Sequence, residues 1–123
     1  MKWLALMAGG GVGAILRYTL SISVDQRMAA SFPLGTFAVN VLGCFVTGIL
    51  ATWLDQRGIS SPTVRLFWVT GLLGAFTTFS TFSFETMKLI ENGKMLHATA
   101  NAAGSVVACV FAVMAGIAIA RAL

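Results

Sequence analysis

Four long apolar segments dominate this chain and decide what it can fold into. They cover roughly residues 3–24, 32–54, 64–90 and 96–120. Each reaches the roughly 20 residues that a helix needs to cross the hydrocarbon core of a bilayer. Since peptide groups in lipid must bond to one another, each segment is predicted to be a transmembrane helix.

The composition excludes an ordinary soluble domain. Of the 123 residues, 58% are hydrophobic and only 10% are charged, whereas soluble domains carry about 25% charged residues. Polar residues gather in three short connections of turn-like composition, at residues 25–27, 55–58 and 91–94. The sequence therefore predicts an all-α membrane protein, a single four-helix transmembrane domain over residues 1–123.

The basic residues do not fix an orientation in the membrane. With four helices, both chain ends lie on one side. If Arg17 within the first segment is left out, the lysines and arginines divide four against three: Lys2, Arg57, Arg65 and Arg121 against Arg27, Lys88 and Lys94. So small an excess gives no orientation by the positive-inside rule. Two explanations stay open. Either a partner fixes the topology, or the chain inserts both ways and two opposed copies pair as an antiparallel dimer.

Several other classes of protein are disfavoured. The net charge of +4 does not indicate a nucleic-acid partner, because the basic residues are dispersed singly near helix ends. Cys44 and Cys109 lack metal-site spacing and are expected to pack as small apolar residues, and His97 stands alone. An enzyme is the least expected class, because the sequence shows no nucleophile–base constellation.

The second segment carries a polar face. Thr36, Asn40, Gly43 and Thr47 recur at offsets of four, seven and eleven, which places them on one side of a helix. Asn40 is the costly member, because a buried amide in hydrocarbon needs partners. Two explanations stay open for it: a hydrogen bond to a neighbouring helix beside small residues, or a donor that faces a polar path.

The first and fourth segments add small and polar residues. The glycines within residues 9–13 follow no strand, so they indicate close helix packing rather than a dinucleotide loop. Arg17 is expected near a membrane interface, where it orients a helix end or attracts anions. Asn101, Ser105 and Cys109 follow at steps of four, and the first two extend a row of donors if packing does not explain them.

The third segment is the most informative one. Phe76, Phe79 and Phe82 recur every three residues and are interleaved with hydroxyl side chains, namely Thr77, Thr78, Ser80, Thr81 and Ser83. Such a density of hydroxyls does not suit a face that meets only lipid. The segment is also longer than one span requires, and Gly71 and Gly74 precede the hydroxyls. These facts predict a break near Gly74–Thr78.

An interrupted membrane helix offers unpaired backbone groups. Amides at one half suit an anion, and carbonyls at the other suit a small hard cation such as Na⁺. Phenylalanine rings present a positive edge that faces an anion without holding it tightly. The third segment is therefore predicted to line an ion path.

Three motifs resemble the small bacterial fluoride channels, the Fluc (CrcB) family, over essentially the whole chain. They are Gly-Ala-Ile-Leu-Arg-Tyr at residues 13–18, Gly35-Thr36 followed by Val39-Asn40 and Gly43, and Gly-Ala-Phe-Thr-Thr-Phe-Ser-Thr-Phe-Ser at residues 74–83. The last motif, taken together with Asn40, is highly specific.

The resemblance implies an antiparallel dual-topology homodimer in the bacterial inner membrane, with two fluoride pores. It assigns the pore lining to Asn40, Phe79 and Phe82, with a polar row formed by Thr36, Thr78, Thr81 and Ser105. It further implies a structural Na⁺ on the two-fold axis, held by the backbone carbonyls of Gly74 and Thr77 from each subunit. Glu85 matches a recurring acidic position and is assigned, with Arg17, to a vestibule or helix end.

Three residues depart from the family pattern. Ala75 stands where a second glycine is common, and Asn101 and Cys109 stand where some family members carry tyrosine and serine in the polar row. Two other functions stay open from the sequence. A proton-coupled exporter of small cations needs a membrane carboxylate, for which Glu85 is the candidate. A non-transporting subunit predicts a stable hetero-complex without flux.

Overall fold

The computed structural model describes residues 1–29 and 31–123, and these residues are helical apart from short connections. The elements are α1 (Lys2–Met28), α2 (Leu34–Gln56), α3 (Pro62–Arg65), a π-helical segment (Leu66–Leu73), α4 (Gly74–Phe76), α5 (Phe79–Glu91) and α6 (Met95–Ala122). Within these described residues, four stretches are long and apolar enough to cross a membrane: α1, α2, α6 and Pro62–Glu91, here called the third span. The predicted all-α architecture with four membrane-length helices is confirmed.

The helix ends differ from the predicted connections in one place. Residues 25–27 were expected to form a turn, but α1 continues through them to Met28. Arg27 in the last turn suits the negative end of the helix dipole, which favours this extension. The Asp25 carboxylate then accepts a hydrogen bond of 2.8 Å from the Gly35 amide, so it joins the end of α1 to the start of α2.

Glycines bring the helices into backbone contact. A Cβ atom on Gly13 would lie 2.1 Å from the Leu72 carbonyl oxygen, so α1 lies directly on the π-helical segment. A Cβ atom on Gly48 would lie 2.4 Å from the Val113 oxygen, so α2 lies equally close to α6. Lipid provides no hydrophobic force between helices, and van der Waals contact between close backbones takes its place.

The third span changes its neighbour halfway along. Its first half, the π-helical segment and α4, packs on α1, whereas α5 packs on α6. Helix α2 lies between these two contacts and touches α1, α6 and both halves of the third span. The junction between α4 and α5 therefore faces α2 at the centre of the bundle.

Large apolar side chains cover the outside of the bundle. Trp3 is 77% exposed and Phe111 is 63% exposed in the single chain. The small interior holds Val39, Leu54 and Asn101, all almost fully buried. This inverted distribution is that of a multi-pass membrane protein.

The α2–α6 contact yields a test of stability. The substitution Gly48→Ala places a methyl group against the Val113 carbonyl, so it is expected to lower the free energy of unfolding by about 1–3 kcal/mol. Gly104→Ala is the matched control, because a Cβ atom there meets nothing within 4 Å. Thermal unfolding in detergent measures both, and equal midpoints for the two variants would contradict the packing described.

Candidate functional site

Two extended residues separate α4 from α5. Thr77 has φ −83° and ψ 156°, and Thr78 has φ −148° and ψ 119°. The amide and the hydroxyl of Thr77 both donate to the Leu73 carbonyl, each at 3.1 Å. The Thr78 hydroxyl accepts a hydrogen bond of 3.2 Å from the Thr81 amide, which is an N-cap. One threonine thus ends α4, and the next begins α5.

The Asn40 side chain pairs with the extended peptide. Its amide nitrogen donates to the Thr78 carbonyl at 2.9 Å, and its oxygen accepts from the Thr78 amide at 2.8 Å. Both backbone groups of Thr78 are thereby satisfied from α2. An asparagine amide group carries two N–H bonds, so one donor is left for another acceptor. Of the two explanations for Asn40, the structure shows the hydrogen bond to a neighbouring element. The second N–H bond of the same amide stays available as a donor to a polar path.

The same bonds displace two amides from their usual acceptors. In a continuous α-helix the Thr78 amide would donate to the Gly74 carbonyl, and the Thr81 amide would donate to the Thr77 carbonyl. Here these amides donate to Asn40 and to the Thr78 hydroxyl instead. The carbonyls of Gly74 and Thr77 therefore keep lone pairs that a hard cation prefers. Among the described residues, no group of three His, Cys, Asp or Glu side chains is placed to hold a metal ion.

A cavity of about 240 Å³ opens beside the extended residues. This central cavity is lined by Asn40, Cys44, Thr77, Thr78, Phe79, Phe82, Ser105, Val106 and Cys109. Five of the predicted pore residues, from α2, the start of α5 and α6, thus meet in one space: Asn40, Thr78, Phe79, Phe82 and Ser105. Every lining side chain is of a neutral type, so the polar character of the cavity comes from amide, hydroxyl and thiol groups.

The two phenylalanines form a pair at this cavity. The ring centroids of Phe79 and Phe82 are 5.4 Å apart, and the ring planes are inclined by 44°. Phe82 is half-buried, whereas Phe79 is 75% exposed in the single chain. One side of the cavity is therefore open at Phe79 and lacks a wall from this chain.

A second cavity lies on the other side of Thr78. This arginine cavity has a volume of about 270 Å³, and it is lined by Arg17, Tyr18, Ser21, Thr36, Val39, Thr78 and Thr81. It brings the predicted vestibule residue Arg17 together with three members of the predicted polar row. Thr78 lines both cavities, so it is the point where they adjoin.

Glu85 lies beyond the arginine cavity, next to the chain connections. The Thr36 hydroxyl donates to one Glu85 oxygen at 2.8 Å. Glu85 also lines a third cavity, here called the mouth cavity, of about 330 Å³, with Asp25, Lys88 and Lys94. The structure thus places Glu85 in the middle of α5 rather than at a helix end, beside charged side chains and in contact with the predicted polar row.

A polar chain joins α5 to α6. The Asn101 amide donates to the Thr86 hydroxyl at 2.9 Å, and the Ser105 hydroxyl donates to the Asn101 oxygen at 3.4 Å. Asn101 is 1% exposed, so these bonds satisfy a buried amide. Sequence reasoning missed Thr86, although Thr78, Phe82 and Thr86 follow at helical steps of four.

Comparison with known proteins identifies the family. The family described as "CrcB-like protein, Camphor Resistance (CrcB)" matches residues 4–117. The chain belongs to the CrcB family. The chain is 50% identical to the Fluoride-specific ion channel FluC 1 of Streptomyces avermitilis over 123 residues, all of this chain and 98% of the relative.

Two further CrcB relatives give the same result. The Fluoride-specific ion channel FluC of Chloroflexus aurantiacus is 44% identical over 118 residues, which is 96% of this chain and 94% of the relative. That of Citrifermentans bemidjiense is 45% identical over 123 residues, which is 100% of this chain and 98% of the relative. The resemblance inferred from the motifs is confirmed, and a family of ion channels confirms that the chain is not an enzyme.

The reciprocal bonds at Thr78 give a second test. Asn40→Ala leaves the Thr78 amide and carbonyl without these partners, so the free energy of unfolding is expected to fall by about 1–3 kcal/mol. Asn92→Ala, in the exposed turn after α5, removes the same side chain without such bonds. The two variants are compared by unfolding in detergent. An Asn40→Ala protein as stable as Asn92→Ala would show that the pair does not hold the junction.

Proposed function

We propose that this protein is a passive, fluoride-selective ion channel that exports fluoride from the bacterial cytoplasm. The observation that carries the proposal is the central cavity, where neutral donors and two phenylalanine rings meet beside the interruption of a membrane helix. The names of the CrcB relatives, fluoride-specific ion channels, support the choice of ion.

The donors of the cavities replace water around the ion. Fluoride is small and strongly hydrated, so a selective pore must offer hydrogen-bond donors in place of its hydration shell. The free N–H bond of Asn40 and the ring edges of Phe79 and Phe82 provide them directly. The Thr78 and Ser105 hydroxyls donate to Thr81 and Asn101 in the structure, so each would turn toward a passing ion. In the arginine cavity, Thr36 and Thr81 continue the polar row, with the Thr36 hydroxyl donating to Glu85.

The charged side chain that attracts anions lies outside the cavity through which the ion passes. Arg17 lies in the arginine cavity, where a guanidinium group raises the local concentration of anions. The lining of the central cavity consists of neutral residue types, so no fixed cation holds the ion there. Conduction requires that an ion bind well enough to enter and weakly enough to leave. Fluoride that enters cells as neutral HF then leaves down its gradient, which gives fluoride resistance.

Assembly as an antiparallel homodimer completes the pathway in this proposal. Two features support it: the near-balance of basic residues on the two sides, and the exposure of Phe79 at the open side of the central cavity. A second copy in the opposite orientation would provide the missing wall. The two-fold symmetry would then generate two equivalent pores in the inner membrane.

A structural Na⁺ between the two copies fits the displaced carbonyls. Gly74 and Thr77 from each copy would hold it through their backbone oxygens, because their usual helical donors are bonded elsewhere. The ion would tie the two interrupted spans together. It has no part in moving fluoride.

Fluoride efflux tests the proposed function directly. Purified protein in liposomes loaded with potassium fluoride is expected to release fluoride once valinomycin allows potassium to follow, as read by a fluoride electrode. Chloride-loaded vesicles are the matched selectivity control, read with a chloride electrode. Release no faster than from empty vesicles would reject the channel, and equal fluoride and chloride rates would reject the selectivity.

The phenylalanine pair gives a residue-level test. Phe82→Ile keeps the apolar bulk but removes the ring edge, so fluoride flux is expected to fall about tenfold, which corresponds to about 1.4 kcal/mol in the barrier. Phe111→Ile is the control, because Phe111 is an exposed α6 residue outside the cavities described. Unchanged flux in a folded Phe82→Ile protein would contradict the ring-edge assignment; Phe79→Ile gives an independent second variant.

Sodium removal tests the proposed structural ion. Protein purified with N-methylglucamine in place of sodium is expected to unfold at a lower temperature, because ligand binding to the folded form adds stability. Restoring sodium should raise the midpoint again, and an equal concentration of potassium should not. Identical unfolding midpoints in all three buffers would reject the sodium site. They would not bear on the fluoride pathway, which the flux measurements test.

A further inference from the structure

Two thiols face the central cavity from different helices. Cys44 on α2 and Cys109 on α6 are both free cysteines of intermediate exposure, and both line this cavity with Phe79 and Phe82. Both belong to the lining of one cavity of about 240 Å³, which brings the two side chains near each other. Sequence spacing predicted separate packing residues, and only the fold brings them together.

The helix contact explains why the thiols meet. Four residues after Cys44, Gly48 lies in backbone contact with α6 at Val113, which is itself four residues after Cys109. The thiols therefore occupy matching positions one turn away from the closest approach of α2 and α6. A contact made by backbones changes little on side-chain motion, so it holds the pair at a fixed separation.

We propose that Cys44 and Cys109 form a two-thiol site for a soft d¹⁰ metal ion that accepts two thiolate ligands, and that the bound ion closes the central cavity. Soft thiolates select soft ions over hard ones. Zinc is disfavoured, because its structural sites need four ligands and the described residues contain no cluster of even three suitable side chains. An ion such as Hg²⁺ forms stable complexes with only two sulfur ligands.

Charge balance favours such an ion in an apolar cavity. Two Cys S–H bonds and the two Hg–Cl bonds of mercuric chloride break, and two S–Hg bonds form. Two protons and two chloride ions pass to solvent, with no change in oxidation state. The resulting bis-thiolate carries no net charge, so it does not incur the cost of a buried ion. Mercuric chloride is itself neutral in chloride solution and can reach a site within the bilayer.

The site joins α2 to α6 next to the phenylalanine pair. The claim that the bound ion closes the pathway rests on the proposed fluoride function. The claim that the two thiols bind the ion does not. Bridging by two ligands on fixed helices raises the effective concentration of the second thiol, so the pair is expected to bind at least about 100-fold more tightly than either thiol alone.

Binding is measured first, in detergent and without reference to flux. Wild-type protein titrated with mercuric chloride is expected to bind one mercury per chain with high affinity, as measured by intact-protein mass spectrometry. Both thiols should then no longer react with Ellman's reagent. Cys44→Ala and Cys109→Ser should each bind at least about 100-fold more weakly. His97→Ala, an exposed residue at the start of α6, is the control and should bind as wild type.

Flux is measured second, with each protein normalised to its own untreated rate. One mercury per chain should stop fluoride efflux from wild-type liposomes, and the dithiol dimercaptopropanol should restore it. Two mercury ions per chain, or single variants that bind as tightly as wild type, would overturn the paired site. Stoichiometric binding without loss of flux would overturn the closure. Untreated protein without flux would reject the proposed function, while the mercury and thiol counts would still decide the metal site.

Discussion

The reciprocal hydrogen bonds between Asn40 and the Thr78 peptide are the constraint on which the site depends. An extended peptide within a membrane span exposes an amide and a carbonyl, and each unsatisfied group in hydrocarbon costs several kcal/mol. Asn40 satisfies both at 2.9 and 2.8 Å from a neighbouring helix. The third span can then leave α1 and continue along α6, and the central cavity opens where its two halves part. Irregular backbone at membrane depth is tolerated where protein or a cavity surrounds it, and both surround Thr78.

Close glycine contacts fix the helices on both sides of the junction. The π-helical segment is fixed on α1 at Gly13, and α6 is fixed on α2 at Gly48. Because these contacts join backbones, they hold the four spans at short distances without large interlocking side chains. The polar groups around Thr78 are thereby presented by three elements, α2, α5 and α6, whose separation is set elsewhere in the bundle.

The sequence predicted a feature of the structure correctly where a single physical rule determines that feature. Apolar length alone predicted four spans, and the motifs with Asn40 identified the family. The turn expected at residues 25–27 was wrong, because Asp25 and Arg27 suit a helix end as well as a loop. The sequence left two explanations for Asn40, because periodicity shows which residues share a helix face but not which helix packs against that face. The thiol pair and the bond from Asn101 to Thr86 depend on contacts between helices, which spacing within one helix does not encode. The pore roles, the dimer and the sodium ion stay predictions.

The neutral lining of the central cavity has an electrical consequence. A membrane potential does work of about 2.3 kcal/mol per elementary charge for each 100 mV crossed, but only on charges that move through the field. The nine lining residues are amide, alcohol, thiol, phenyl and isopropyl groups, and they bring no ionised side chain into that field. The wall therefore offers no gating charge. A change in voltage alters the driving force on a passing ion and leaves the shape of this passage as it was.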